Sequence, residues 1–566
     1  MKRHEVLIVG AGLAGQRAAL EALRLGAEVA IVSKVMPVRS HSVAAAGGIN
    51  AALNEKDSWK DHAYDTIYGS DFLADQDAVE VLCREAKRNV LELESLGVVF
   101  SRNRDGSIAQ RAFGGQRFNR TCYAADRTGH ALLHTLYDQL MKFRPVIYAE
   151  HYGLELIMEK NACKGLVVYD LASGNIERIY AKAVLLATGG YGRAFSVTSN
   201  GHANTGDGLA LALHAGLPLE DMEFVQFHPT GIYGKGHLVS EASRGEGAHL
   251  LNGKNERFMK RYAMHAMELA SRDIVSRAIQ TEISNGNGAG PRKDHVFLDL
   301  RHLGEKKILE RLPEVRRSVL DALGIDVARE LVPVIPTAHY SMGGIPTDVR
   351  TRVVLNERNT PVKGLYAAGE CACLSVHGGN RLGGNSLLET LVFGRMAGKE
   401  MASFVKNQTW PAPRAKHENH AQKRVHALLK GRGKCNPYDT RRNIQRLMMR
   451  HCGVFRNERG LRALQRRLRA CKVESFKWNI GDTSTQFNTA LAEALETQNM
   501  LDFSFAIVES ALARQESRGS HYRTDFPMRN DAIWLKHSLA WLVKGRIEVG
   551  YKPVVIRRIK PVERRY

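Results

Sequence analysis

"VLIVGAGLAGQRAALEALRLGAEVAIVSK" spans residues 6–34, and its reading decides the fold. Val6–Val9 is a short apolar run that ends on Gly10, with further glycines at 12 and 15. The next segment, QRAALEALRLG, reads as a helix ending at Gly26, and EVAIVSK reads as a second strand. Strand, GxGxxG, helix and strand in this order form a dinucleotide-binding unit. The glycines Gly10, Gly12 and Gly15 permit a tight turn and close backbone approach to a pyrophosphate, with the helix N-terminus facing its charge. An acid commonly ends the second strand and binds ribose; Ser33 and Lys34 stand there instead. That argues against NAD and leaves the ribose contact open.

Two later segments extend the pattern. AKAVLLATGGYG (181–192) reads as a buried strand running into a glycine turn at Gly189, Gly190 and Gly192. GLYAAGE (364–370) reads as another strand ending on an acid, Glu370, which in two-dinucleotide FAD folds sits near the ribityl chain. The predicted class is therefore α/β: a Rossmann-like FAD-binding domain of the two-dinucleotide type, split over residues 1–223 and 340–403. Residues 224–339 form an inserted α+β capping domain. PAPRAKHENHAQKR (411–424) reads as a linker, a helical domain covers 415–520, and a short C-terminal domain covers 521–566.

Bulk properties narrow the function. The chain has 566 residues, 44% apolar and 25% charged, as in ordinary globular proteins. Its basic-then-apolar start is glycine-broken and lacks a cleavage site, so it reads as a strand and turn. No apolar run is long enough to span a bilayer, which predicts an intracellular protein unless a partner carries it to a membrane. Eight cysteines form no CxxC pair and no iron–sulfur spacing; Cys371 and Cys373 read as buried packing, and no metal site is expected. Electrons moved by this chain must be handed to another protein. The net charge is +22, and residues 411–566 hold 32 Lys and Arg against 14 Asp and Glu. The densest part, Arg441–Arg469, has helical apolar spacing. It fits a solvated helical face, an acidic partner or an anionic membrane; nucleic acid is the weakest reading, because no binding motif accompanies the charge.

RSHSVAAAGG (39–48) sets a histidine beside small residues that let backbone approach something flat and large. Together with EFVQFHPTGI (223–232), SEASRGEGAHLLN (240–252), SRDIVSRAI (271–279), AHYSMGGI (338–345) and GGNRLGGNSLLETLVFGR (378–395), it resembles the flavoprotein subunit of succinate dehydrogenase or fumarate reductase. The similarity extends to IQRLMMRHCGVFR (444–456) and SRGSHYRTDFPMRND (517–531). A four-carbon dicarboxylate carries two negative charges, and holding it over a flavin requires cations or hydrogen-bond donors. His228, Ser240, Arg272, His339 and Arg381 stand in glycine-rich or turn-like settings suited to that task.

The resemblance implies roles. His228, Ser240, His339 and Arg381 would grip the substrate carboxylates, and Phe113 would pack on its middle carbons. Arg272 would move the proton, with Glu241 and Arg244 as its relay. A guanidinium is a poor base, so this needs charged neighbours and a dry site, or proton movement concerted with hydride transfer. His41 would carry a covalent bond to the flavin 8α-methyl group, raising the potential enough to desaturate an unactivated carbon–carbon bond. Ser42, Gly47, Gly48, Gly190, Asp207, Ser386 and Leu387 would join Ser33, Lys34, Glu370 and Arg381 around FAD. Two positions depart from the family: Ser240 replaces a commoner threonine, and Ala46 replaces Gln or Glu near the flavin.

Implied partners are succinate or fumarate, an iron–sulfur subunit and a quinone-binding membrane anchor, with no nucleic acid. The implied place is the cytoplasmic side of the cell membrane, peripheral and held by those subunits. A soluble oxidase of the same superfamily, L-aspartate oxidase, is the alternative; it normally lacks the flavin-linking histidine. A basic binding protein on an inactive flavin scaffold ranks last, because a candidate stands at every substrate position.

Overall fold

The computed structural model describes residues 2–411 and 418–565. Lys2–Val9 lies inside an eight-stranded sheet. Its parallel part runs in the order Val146–Ala149, Val29–Ser33, Lys2–Val9, Ile176–Leu186, Pro361–Ala367. Val6 pairs with Val29 on one side and Ala183 on the other. Val6, Leu7 and Ile8 are wholly buried, as strands covered on both faces must be. Such strands are continuous apolar runs, which is why the sequence shows no alternation there. The helix Leu13–Arg24 follows the glycine turn and packs beside the helix Asn385–Val405. The antiparallel strands His151–Glu159, Ala162–Asp170 and Arg352–Val354 complete the sheet.

A second sheet orders Val225–Ile232, Val332–Ser341, Val296–Asp299 and His249–Leu251, all antiparallel. The chain enters it through the first strand and leaves through the second, and these two pair from Val225↔Ser341 to Ile232↔Val334. The exit strand runs unbroken across residue 339, so no linker marks that edge. The helix Arg272–Ser284 packs on Val225–Ile232, around a core that includes Ile232, Leu250, Val275, Ile279 and Leu298.

Four helices follow: Glu418–Leu429, Pro437–His451, Glu458–Glu474 and Thr489–Ala513. The linker expected over residues 411–424 needs correction. Residues 412–417 lie outside those described, but Glu418 already opens a helix. Ala421, Val425 and Leu428 recur at helical spacing and are buried, while Arg424 donates to Gln498 and Asn499 of the long helix. Charge and a proline at the start masked that amphipathic face. In Arg441–Arg469, Ile444, Met448, Leu461, Leu464 and Leu468 point inward; the exception among the arginines is Arg456, buried and donating to the Gly453 and Glu223 carbonyls.

The hairpin Lys536–Val543 and Arg546–Pro553 adds to Leu219–Glu220. A buried charge cluster fastens it. His537 Nδ1 lies 2.6 Å from Asp221 and Nε2 3.1 Å from Asp75, while Lys552 meets Glu220 at 2.7 Å. Burial opposes the His537 charge, but Asp221 and Asp75 outweigh it and hold its pKa up at about 10. His537→Leu leaves two buried carboxylates short of a partner and is expected to cost about 3–5 kcal/mol of stability. Because the folded-state pKa is raised, the stabilisation is complete below about pH 6.5 and is lost as pH rises towards about 10. Thermal melts across that range should converge for wild type and variant at the alkaline end; parallel curves would refute the charged-histidine account. Among the described residues, no helix is long and apolar enough to cross a membrane.

Candidate active site

A cavity of about 670 Å³ opens at the C-terminal ends of the parallel strands, where such folds bind ligands. On its walls stand Gly10, Gly12, Ser33, Lys34, His41, Ser42, Gly47, Gly48, Asp207, Glu370, Ser386 and Leu387. Phe113, His228, Ser240, Glu241, Arg272, His339 and Arg381 line the same space. Gly15, Gly190 and Arg244 are not on the wall but directly behind it. A Cβ on Gly15 would fall 2.0 Å from Gly10 O, so that glycine lets helix and strand touch. Gly10 has φ +112°, and a Cβ there would meet Ala187 O at 2.1 Å. A Cβ at Gly190 would strike the Glu370 carboxylate at 2.2 Å.

The residues present fit FAD. The Leu13–Arg24 helix begins at the glycine turn with its N-terminus at the cavity, as a pyrophosphate site requires. Lys34, which follows the second strand, is itself paired with acids. Lys34 Nζ reaches Asp207 at 2.7 Å, Glu496 at 2.6 Å and Thr205 at 2.7 Å. Burial opposes ionisation of Asp207, but Lys34 outweighs it and keeps the carboxylate charged. Asp207 also accepts from Tyr152 and Asn499. Asp207, at the N-terminus of Asp207–His214, thus lines the cavity as a charged carboxylate. Glu370 accepts from Ser341 N at 3.1 Å, and burial pushes its pKa up to about 7.

His41 starts a 3₁₀ turn, His41–Ala44, after the turn Pro37–Arg39. Gly201 N–H donates to His41 Nδ1 at 3.2 Å. That bond directs the ring proton to Nε2, which has no partner among the described residues. Burial lowers the His41 pKa to about 4, so the ring is neutral near pH 7. In this tautomer Nε2 faces the cavity as an N–H, and it can bond to carbon only as that proton leaves, with Nδ1 still accepting from Gly201. Ser42 Oγ accepts from Leu13 N at 3.2 Å, tying this turn to the glycine loop.

The substrate end is a knot of buried charge. Arg272 donates through Nε and Nη2 to Glu241 Oε2, the former at 2.7 Å. Glu241 Oε1 accepts from Gly114 N at 3.1 Å and lies 3.3 Å from Arg244 Nη2. Burial opposes the Glu241 charge, but Arg272 and Arg244 outweigh it and lower its pKa. Burial and then Arg272 bring Arg381 down to about 9. Its guanidinium lies 4.4 Å from the centre of the Tyr340 ring and donates to Ser386 at 3.1 Å. Arg244 and Arg272 share Glu241, and Arg381 makes no ion pair among the described residues, so the substrate end keeps an excess of positive charge. That excess matches a dicarboxylate dianion.

Two imidazoles complete the wall. His228 and His339 meet edge to face, centroids 5.0 Å apart. Burial, then Arg272, lowers both pKa values well below the usual range, so both rings are neutral. Thr230 N–H donates to His228 Nδ1, which puts the proton on Nε2. That Nε2 is buried without a partner, and so is Arg381 Nε. Unpaired buried donors are costly unless a ligand accepts from them.

The sequence did not single out Gln226. Its Oε1 accepts from Arg272 Nη1 and Arg381 Nη2, each at 3.0 Å, and its Nε2 donates to Asn380 and the Arg381 carbonyl. One amide therefore sets the spacing of the two arginines. Gln226→Leu leaves both guanidiniums short of an acceptor and is expected to lower kcat/KM for the dicarboxylate about 10- to 100-fold. Steady-state kinetics at matched FAD content checks this, and an unchanged kcat/KM sinks it. The loop 196–204 was passed over as well. It supplies Gly201 N to His41, Ser199 Oγ to His339 Nδ1 at 2.7 Å, and Asn200 Nδ2 to the His339 carbonyl. Gln226 had a signal, since it lies within EFVQFHPTGI, whereas the loop had only small polar residues.

The comparisons with known proteins agree with this site. The FAD binding domain family matches residues 5–387, and the Fumarate reductase flavoprotein C-term family matches residues 441–566. A succinate dehydrogenase flavoprotein subunit of Rickettsia bellii is 44% identical, over 100% of this chain and 98% of its own. A fumarate reductase flavoprotein subunit of Mycobacterium tuberculosis is 43% identical, over 100% and 99%. The solved quinol fumarate reductase chain FrdA of E. coli superposes with a TM-score of 0.95 at 38% identity, covering 100% of this chain and 99% of that one. The fold and site define an FAD-dependent oxidoreductase. This chain belongs to the family of succinate dehydrogenase and fumarate reductase flavoprotein subunits.

Proposed function

We propose that this protein interconverts succinate and fumarate as the FAD subunit of a larger complex. The observation that carries the reading is the cavity wall where Arg272 and Arg381, with Arg244 behind it, outnumber Glu241 and leave positive charge for a dianion, beside the unpartnered His228 Nε2 and Arg381 Nε. FAD, when bound, accepts or supplies the hydride. Arg381, His339, His228 and Ser240 hold the carboxylates and draw the substrate out of water. Phe113 packs on its middle carbons. Arg272 takes the proton from the adjacent carbon as it passes one of its own to Glu241 Oε2, and Arg244, 3.3 Å from Glu241 Oε1, stands next on the path outward. Crowded positive charge in a dry site makes proton loss from a guanidinium less costly than in water. His41 carries the covalent flavin link, with Nε2 as the bonding atom and Gly201 holding Nδ1.

Ser33, Lys34 and Asp207 take the ribose end, and Glu370 the ribityl side. Electrons then leave for an iron–sulfur subunit, and a membrane anchor with bound quinone holds the assembly to the cytoplasmic face of the membrane. The E. coli relative's name, quinol fumarate reductase, supports the quinone part of this reading. The proposed division remains a split FAD-binding domain (1–223 and 340–403), a cap (224–339), a helical domain (415–520) and a C-terminal domain (521–566), with the cap's exit edge lying inside the strand Val332–Ser341.

The test is a dye-linked assay on purified holoprotein. Succinate should reduce an artificial acceptor, and fumarate should oxidise a reduced low-potential dye. Turnover with L-aspartate but not succinate would overturn the reading in favour of an oxidase.

A further inference from the structure

Asp273 follows Arg272 in the first turn of the Arg272–Ser284 helix and is buried. Its Oδ1 accepts from Ser271 Oγ, and its Oδ2 lies 2.7 Å from Arg564 Nη2 and 3.2 Å from Arg277 Nη2. The same Arg564 Nη2 lies 2.9 Å from Asp71 Oδ2. One guanidinium group, 291 residues along the chain from Asp273, thus bridges two carboxylates across the seam between the two sheet units. The side chains of Arg564, Asp71 and Asp273 are 7%, 8% and 0% exposed, so water does little to screen the bridge.

Both ends are firmly set. Asp71 and Phe72 adopt φ of 57° and 59°, the left-handed region that side chains other than glycine rarely occupy. Such backbone persists only where its surroundings over-determine it. Here Asp71 accepts from Gly519 N at 2.8 Å and Arg529 at 2.8 Å as well as from Arg564. The segment carrying Arg564 is strapped down along its length. Gln76 Oε1 accepts from the backbone N–H groups of Arg557, Arg558 and Ile559, and Arg565 N–H donates to Tyr68 Oη at 2.6 Å. Burial opposes the Asp273 charge, but Arg564 and then Arg277 outweigh it, so the carboxylate is ionised.

We propose that Arg564 is a positioning residue for catalysis: by joining Asp71 to Asp273 it fixes the first turn of the helix that presents Arg272 to the cavity. The inference rests on the assignment of proton transfer to Arg272. Without Arg564, two ionised carboxylates face each other across the seam, and their repulsion pushes the Arg272 turn away from the flavin side. Small displacements of a catalytic group are enough to cost a large part of the rate.

Arg564→Met keeps the aliphatic stem and removes the bridge. In full-length holoprotein it is expected to lower kcat for succinate about 10- to 100-fold at normal flavin content. Arg564→Lys, which offers one ammonium to two carboxylates, should lose several-fold. The decisive variant is Arg564→Met with Asp71→Asn, which removes the repulsion and should recover most of the lost kcat; a merely structural defect would deepen with the second change. Wild-type kcat in Arg564→Met, or a double variant no faster than the single one, overturns the proposal. If Arg564→Met yields no folded holoprotein, wild-type kcat in Arg564→Lys does the same. Arg272→Lys is measured in parallel. Full turnover there defeats the proton-transfer assignment, whereas full turnover in the Arg564 variants defeats only the strap.

Discussion

Arg272→Lys is expected to lower kcat for succinate oxidation about 10³-fold, with FAD content and the affinity for a non-reacting dicarboxylate changed far less. Lysine keeps the positive charge, so the electrostatic attraction for the substrate survives. It cannot reproduce the forked contact to Glu241 Oε2 together with the third bond to Gln226. The proton then has no aligned path from substrate carbon to Glu241. Loss in kcat with retained binding marks an interaction that matters in the transition state rather than in the ground state. Glu241→Gln should act in the same direction, because an amide does not take up and release the proton, and it also leaves Arg272 and Arg244 facing each other uncompensated. A kcat within about tenfold of wild type in Arg272→Lys would remove Arg272 from the reaction.

His41→Ser is expected to abolish acid-stable flavin altogether. Wild-type protein from its native host, denatured in acid and run on a gel, should show a fluorescent band, with the flavin on the peptide containing His41. The variant should release its FAD to the supernatant yet still bind it before denaturation, because the glycine turn, Lys34, Asp207 and Glu370 are untouched. Such a bond would raise the flavin potential, so succinate oxidation should suffer more than fumarate reduction. Flavin released from the wild-type protein would defeat the covalent link and favour the aspartate-oxidase alternative. The native host matters, because attachment can fail where assembly helpers are missing. Ala46 lines the same cavity, and Arg111 donates to its carbonyl at 3.2 Å. Its side chain offers no polar contact to the flavin.

Local backbone chemistry was legible in the sequence. The run from Val6 to Lys34 specifies strand, turn, helix and strand through contacts between near neighbours, and glycines mark where no Cβ fits. The apolar strand before Gly189 and the strand before Glu370 were readable for the same reason, and the motifs around His41, His228, Arg272, His339 and Arg381 announced one site together. Tertiary structure alone decided what joins those pieces. Lys34 reaches Asp207 and Glu496, 173 and 462 residues away. Gln226 spaces two arginines that stand 46 and 155 residues from it, while the loop 196–204 orients His41 and His339 at once. The helix at Glu418 depends on a buried face that forms against Thr489–Ala513 and Ile176–Leu186. Side chains so far apart in sequence meet because a buried charge or donor without a partner is costly, and which partner is nearest is a property of the packed chain rather than of any segment in it.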